Sequence, residues 1–223
     1  MNDPRWTGVD NYISDALFPP DPTLAAALED SVAANLPAIQ VTPALGRLLH
    51  LLAKNGGARN ILEIGTLGGY STIWLARALP SDGRLISLEL EPGHAAVAQR
   101  NLSRAGLAEM VEVRCGAAID LLPRIAAEGL PPFDFTFIDA DKALCADYFA
   151  WALKLSRVGS VIIVDNVVRD GAVADAGSED ANVLGVRRLH DMLRTDTRVC
   201  ATTIQTVGSK GYDGFTMALV TAK

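Results

Sequence analysis

Three observations predict an α/β protein built on a mostly parallel sheet. From about residue 60, short apolar β-branched runs alternate with segments of helical period, the pattern of successive βαβ units. A glycine-rich turn, Gly65-Thr66-Leu67-Gly68-Gly69, joins the first run to its helix. Two later runs, "FTFID" and "VIIVDN", end on Asp139 and on Asp165 and Asn166, at the sheet edge where open α/β folds bind ligands.

Taken in order, residues 1–56 are expected to form an N-terminal helical accessory segment and residues 57–223 the sheet domain. "DPTLAAALEDSVAANL" and "TPALGRLLHLLAKNGG" are helix-like, with Thr42 an N-cap, Pro43 at the first helical position and Gly56 a stop. Strands are predicted at 60–64, 83–90, 110–115, 133–139 and 160–166, with helices at 71–79, 92–105, 117–128 and 142–156. "RDGAVADAGSEDAN", 169–182, lacks an apolar period and is expected to be an exposed loop beside the site. A helix at 183–194 then leads to "VCATTIQTV" and "GFTMALV", an antiparallel C-terminal hairpin reversed through the three glycines of "GSKGYDG".

The bulk composition excludes several classes. The 223 residues fit one domain, and a hydrophobic fraction of 49% is that of a globular chain. A formal net charge of −6 disfavours nucleic acid, whose non-specific binding needs clustered cations. Cys115, Cys145 and Cys200 show neither disulfide nor zinc spacing, so a reducing cytoplasm is expected. The N-terminus has no signal-peptide pattern and no run approaches a membrane span. His50, His94 and His190 lack ligand spacing and are expected on surfaces or helices, whereas Trp74 and Trp151 belong to the core.

The glycine turn provides a backbone cradle and a helix N-terminus. It lacks the second glycine of G-x-G-x-x-G, which disfavours NAD and an oxidoreductase. Glu63, two residues before the turn, would repel a pyrophosphate but attract a cationic amino-acid group. Glu89, ending the second strand, is placed to accept hydrogen bonds from a ribose. Adenosine with a positively charged tail fits S-adenosylmethionine.

At the sheet edge, two carboxylates and an amide, Asp139, Asp165 and Asn166, make a hard oxygen set suited to Mg²⁺, Mn²⁺ or Ca²⁺, with positions left for water and substrate. Lys142 follows Asp139 within one turn, where a nearby cation would favour its neutral form and let it act as a base.

With "IQVTPALGRLL" (39–49), "LEIGTLGGYST", "LEL", "CGAA", "FIDADK" and "VIIVDNV" in this order, the chain resembles the cation-dependent class I S-adenosylmethionine O-methyltransferases, typified by caffeoyl-CoA and catechol O-methyltransferases. The resemblance covers roughly residues 36 to 221 and implies a Rossmann-like class I methyltransferase sheet. It implies that Asp139, Asp165 and Asn166 ligate the metal, Mg²⁺ foremost, and that Lys142 takes the proton of a substrate hydroxyl. Val41, Glu63, Gly65, Thr66, Ser71, Glu89, Ala117 and Ala118 would line the cofactor pocket, together with Asp139 and Asp141, the latter near its amino-acid end. The implied acceptor is a catechol-like hydroxylated aromatic, and the implied assembly is a homodimer, with Trp6 and Tyr12 covering the partner subunit or the acceptor pocket. Two departures, Cys145 where the family often has tyrosine and "RVGS" where it often has Pro-Gly-Gly, bear on the acceptor pocket, which Cys145 and its helix would help to shape. The competing reading is a metal-independent class I methyltransferase acting on nitrogen or carboxylate, in which Asp139, Asp165 and Asn166 are structural.

Overall fold

A computed structural model describes residues 3–223. Its centre is a seven-stranded sheet in the order β3-β2-β1-β4-β5-β7-β6. The strands are β1 (Asn60–Ile64), β2 (Arg84–Glu89), β3 (Val111–Cys115), β4 (Phe133–Ile138), β5 (Ser156–Asp165), β6 (Val199–Gly208) and β7 (Gly211–Val220). The first five are mutually parallel, and β7 runs antiparallel between β5 and β6.

Alternation along each strand supplies both faces of the sheet with apolar side chains, as a parallel sheet covered on both sides requires. Ile61, Leu85, Phe135 and Phe137 face one core with α2 (Pro22–Ala33), α3 (Pro43–Asn55), α4 (Tyr70–Ala76) and α5 (Pro92–Arg104). Leu62, Ile64, Ile86 and Leu88 face the other with α6 (Ala118–Ala127), α7 (Cys145–Leu155) and α8 (Ala181–Thr195). The helices before β1 thus share a core with the sheet through Leu24, Ala27, Leu49 and Ala53. Thr42 caps α3 by accepting the amide of Leu45 at 3.2 Å, with Pro43 first in the helix and Gly56 at its end, as the sequence indicates. Among the described residues no helix is long and apolar enough to cross a membrane.

The structure departs from the sequence reading at four places. An additional helix, α1 (Pro4–Leu17), precedes α2, capped by Asp3; it has no buried residue, so no apolar stripe announces it. The segment predicted as one helix from 142 begins as a 3₁₀ turn, Lys142–Leu144, before α7. Strand β5 starts at Ser156, and its register against β4 slips between Phe133 and Phe135. The hairpin reverses in two residues, Ser209 and Lys210, because Gly208 and Gly211 are already paired.

That tight reversal reaches the N-terminal segments. The Ser209 amide donates to Asp10 in α1 at 2.7 Å, and Lys210 Nζ donates to the carbonyls of Gln40 and, at 3.2 Å, Ala38.

Candidate active site

At the carboxyl ends of β1, β2 and β4 lies a cavity of about 640 Å³, within the range of small-molecule sites. Its floor is set by a close approach of two strand ends. Gly65 has φ of 101°, and a Cβ there would lie 2.0 Å from the carbonyl oxygen of Asp139. Only glycine allows that turn.

Glu89 secures the turn from the neighbouring strand. Its Oε2 accepts the amides of Thr66 and Leu67 at 3.1 and 2.7 Å, and Oε1 accepts that of Glu91 at 2.9 Å. His94 Nδ1 stands 3.4 Å from Oε1 and lines the cavity, a site position that its lack of ligand spacing did not indicate.

Glu63 occupies a different place from the one its sequence position suggests. It is fully buried and outside the cavity wall, where it accepts hydrogen bonds from Ser71 (2.6 Å), Thr72 (2.5 Å) and Ser87 (2.6 Å). Burial pushes its carboxyl up to about 7 against those three donors. In this geometry it braces the turn from beneath.

The cavity wall at the glycine-turn end includes Val41, Thr66, Ser71, Ala117 and Ala118, all named in the sequence analysis. Asp139, Asp141, Lys142 and Asn166 line the opposite end. Lys142 is 7% exposed, and its Nζ donates to Asp139 Oδ1 at 2.8 Å. Its turn is pressed by α8, where a Cβ on Gly185 would sit 2.1 Å from the Lys142 carbonyl oxygen. Asn166 holds φ of 56°, left-handed for a side-chain-bearing residue, and its backbone N–H donates to Asp165 Oδ1 at 2.8 Å.

Asp165 is buried behind the wall, its acidity weakened first by burial and then by the charge of Asp139. Two carboxylates crowded in this way, with an amide beside them, are hard oxygen donors whose mutual repulsion a cation would relieve; the residues fit a divalent metal. The described residues contain no cluster of three His, Cys, Asp or Glu side chains that could hold one by themselves, so such a set would need the side-chain carbonyl of Asn166.

The end of the cavity at Lys142 differs from the expectation for Cys145. That thiol is fully buried beneath the site, pushed up to about 11 by burial, and does not reach the cavity. Tyr148, one turn further on, lines the wall instead and donates to Asp141 Oδ1 at 2.6 Å. Asp141 and Tyr148 are seven positions apart, about two helical turns, which is the sequence signal for the pairing. Trp6 and Tyr12 lie away from this cavity: Trp6 lines a shallow groove with Val9 and Val207, and Tyr12 projects outward at 74% exposed. Trp74 is in the core, as expected.

A mostly parallel, doubly covered sheet with a glycine turn and an acidic second-strand end at one cavity defines a Rossmann-like methyltransferase fold. The O-methyltransferase family profile matches residues 19–220, and the chain belongs to that family. It is 54% identical over 220 residues to the catechol O-methyltransferase of Niastella koreensis, covering 99% of this chain and all of that one. It is 50% identical over 217 residues to the catechol O-methyltransferase of Mycobacterium tuberculosis, with 97% of each chain covered. Among solved structures, the O-methyltransferase of Bacillus cereus in complex with SAH superposes with a TM-score of 0.96 at 57% identity, covering 97% of this chain and 99% of that one. TomG of Streptomyces achromogenes, an O-methyltransferase in complex with SAM, gives 0.96 at 53% identity over the whole of both chains. The protein is an enzyme, an O-methyltransferase.

Proposed function

We propose that the enzyme transfers a methyl group from S-adenosylmethionine to one hydroxyl of a catechol-like small molecule, with a divalent cation, Mg²⁺ foremost, held by Asp139, Asp165 and Asn166. One observation carries this reading: a single cavity joins the glycine turn at Gly65 and Thr66 to Lys142 and Asn166. Methyl donor and hydroxyl acceptor can therefore meet over one sheet edge. The names of the Niastella and Mycobacterium relatives support a catechol acceptor, and the ligands of the Bacillus and Streptomyces structures support the cofactor.

The residues divide the work along the cavity. Glu89, through the amides of Thr66 and Leu67, keeps the turn open toward the cofactor. Tyr148 holds Asp141 at the donor–acceptor boundary. The Lys142 amine, shielded from water, takes the hydroxyl proton at Nζ. The ammonium so formed faces Asp139, and the 2.8 Å pair is the arrangement that proton acceptance would leave. A bound cation supplies Lewis acidity that lowers the pKa of the acceptor hydroxyl. The oxyanion attacks the methyl carbon as its bond to the sulfonium sulfur breaks, giving a methyl ether and the thioether S-adenosylhomocysteine, and in-line alignment of oxygen, carbon and sulfur accounts for much of the rate.

Two further features accompany this reading. Exposed Val9, Tyr12 and Leu17 on α1 and Ile204 and Val207 on the edge strand β6 support a homodimer, which light scattering of the purified chain tests. Exposed, unpaired Cys115 and Cys200 suit a reducing cytoplasm, which the subcellular fraction holding the native protein tests.

Methyl transfer over a panel of vicinal diphenols, with and without chelator, tests the mechanism. Lys142→Met and Asp165→Ala are each expected to lower kcat/KM by roughly 100-fold or more. Full activity in both variants and in chelator would exchange this mechanism for a metal-independent one.

A further inference from the structure

Arg169 is the unexplained cation of the acceptor end. It lines the cavity together with Lys142, Tyr148 and Asn166. Its Nε is buried with no hydrogen-bond partner, and its guanidinium enters no ion pair among the described residues. Other arginines of the chain, such as Arg157 and Arg188, close on carboxylates at 2.7 and 2.8 Å. A buried N–H donor left without an acceptor is unfavourable; Nε itself is enclosed and out of a ligand's reach, so what this cavity-lining residue offers a ligand anion is the rest of its unpaired guanidinium.

The backbone that carries Arg169 is held in an unusual conformation. Asn166, Arg169 and Asp170 all have φ between 54 and 57°, a left-handed state that side-chain-bearing residues rarely adopt. Asp213 on β7 fixes the loop, its Oδ1 accepting the amides of Val168 (2.9 Å), Arg169 (3.0 Å) and Gly214 (3.0 Å). Strain kept in place by a dedicated carboxylate is the signature of a positioned functional residue. The same strained loop directs Asn166 and Arg169 to one wall.

We propose that Arg169 recognises an anionic carboxylate on the methyl acceptor, so that the preferred substrates are hydroxylated aromatic acids rather than neutral diphenols. The proposal rests on the reading of this cavity as a methyl-acceptor site. A guanidinium offers a planar pair of N–H donors that matches a carboxylate. Asp139 and Asp141 pair with Lys142 and Tyr148, and among the described residues neither forms an ion pair with Arg169.

The test compares 3,4-dihydroxybenzoate with catechol. In the wild type, kcat/KM is expected to be at least tenfold higher for the acid. In Arg169→Met the ratio of the two values falls roughly 20- to 100-fold, the loss expected for one charge-assisted pair, and Arg169→Lys restores part of it. Melting temperatures of both variants within a few degrees of the wild type exclude misfolding; Arg169→Gln serves if Met does not fold. A ratio that moves less than threefold, or a wild type indifferent to the carboxylate, overturns the inference while leaving catechol methylation standing. If the wild type methylates neither compound, calorimetric binding with S-adenosylhomocysteine present decides. Binding of the acid that is lost in Arg169→Met then upholds carboxylate recognition and fells the catechol reading, whereas binding independent of Arg169 overturns both.

Discussion

Replacing Glu63 by Gln isolates one buried proton. The carboxyl titrates at about 7 instead of 4.5, because burial opposes ionisation more strongly than Ser71, Ser87 and Thr72 favour it. A raised value means that the folded chain keeps the proton after the unfolded chain has released it. The stabilising contribution is therefore complete below 4.5 and is lost as pH rises through about 7. The gap between 4.5 and 7 is worth about 3 kcal/mol in total, of which about 2 kcal/mol falls between about pH 5.5 and about pH 8. Gln has nearly the same shape and does not titrate. The stability of E63Q relative to the wild type should accordingly rise by about 2 kcal/mol over that interval, whatever fixed offset the new amide introduces. Urea unfolding of both cofactor-free proteins, followed by circular dichroism at the two pH values, measures the difference. Asp165 also holds its proton unusually late, but it is common to both proteins and cancels. A difference constant to within about 0.5 kcal/mol, or one that moves in the opposite direction, would refute the argument.

Two other substitutions test the architecture around the cavity. Gly65→Ala places a methyl against the Asp139 carbonyl in a left-handed turn. It should cost about 3 kcal/mol or more and lower Tm by roughly 6–12 °C, and a Tm unchanged in calorimetry would contradict the tight turn. Lys210→Met removes the donor to the Ala38 and Gln40 carbonyls, and Gln40 and Val41 line the cavity. The KM for S-adenosylmethionine should rise roughly three- to tenfold with kcat within about threefold, as steady-state kinetics would show; equal loss in kcat would point to the chemistry instead.

Much of the fold is legible in the chain because the signals are local. The runs ending at Ile64, Glu89 and Ile138 carry apolar residues on both faces, and the first is followed at once by Gly65, so there strand and turn appear together. Helix α1 escapes because its polar faces carry no period, although Asp3 followed by Pro4 is a legible start signal. The oxygen set and Lys142 are legible because two motifs carry them. Arg169 and His94 are harder, since each reaches the cavity through loop or helix geometry that sequence spacing does not encode. Glu63 shows the reverse case: its position by the turn is readable, but the three hydroxyls that enclose it come from α4 and β2.

The two-residue hairpin tip bears on the order in which the enzyme can become competent. Ser209 meets Asp10 across 199 positions, and Lys210 meets Ala38 across 172. During synthesis the glycine turn and the first parallel strands emerge early, yet the flank at Gln40 and Val41 is braced only after β6 and β7 have paired. Contacts so distant along the chain form late in folding. Cofactor affinity thus reports on the completion of the C-terminal hairpin, far from the turn that cradles the ligand, and a nascent chain would carry the motif well before it carried the finished wall.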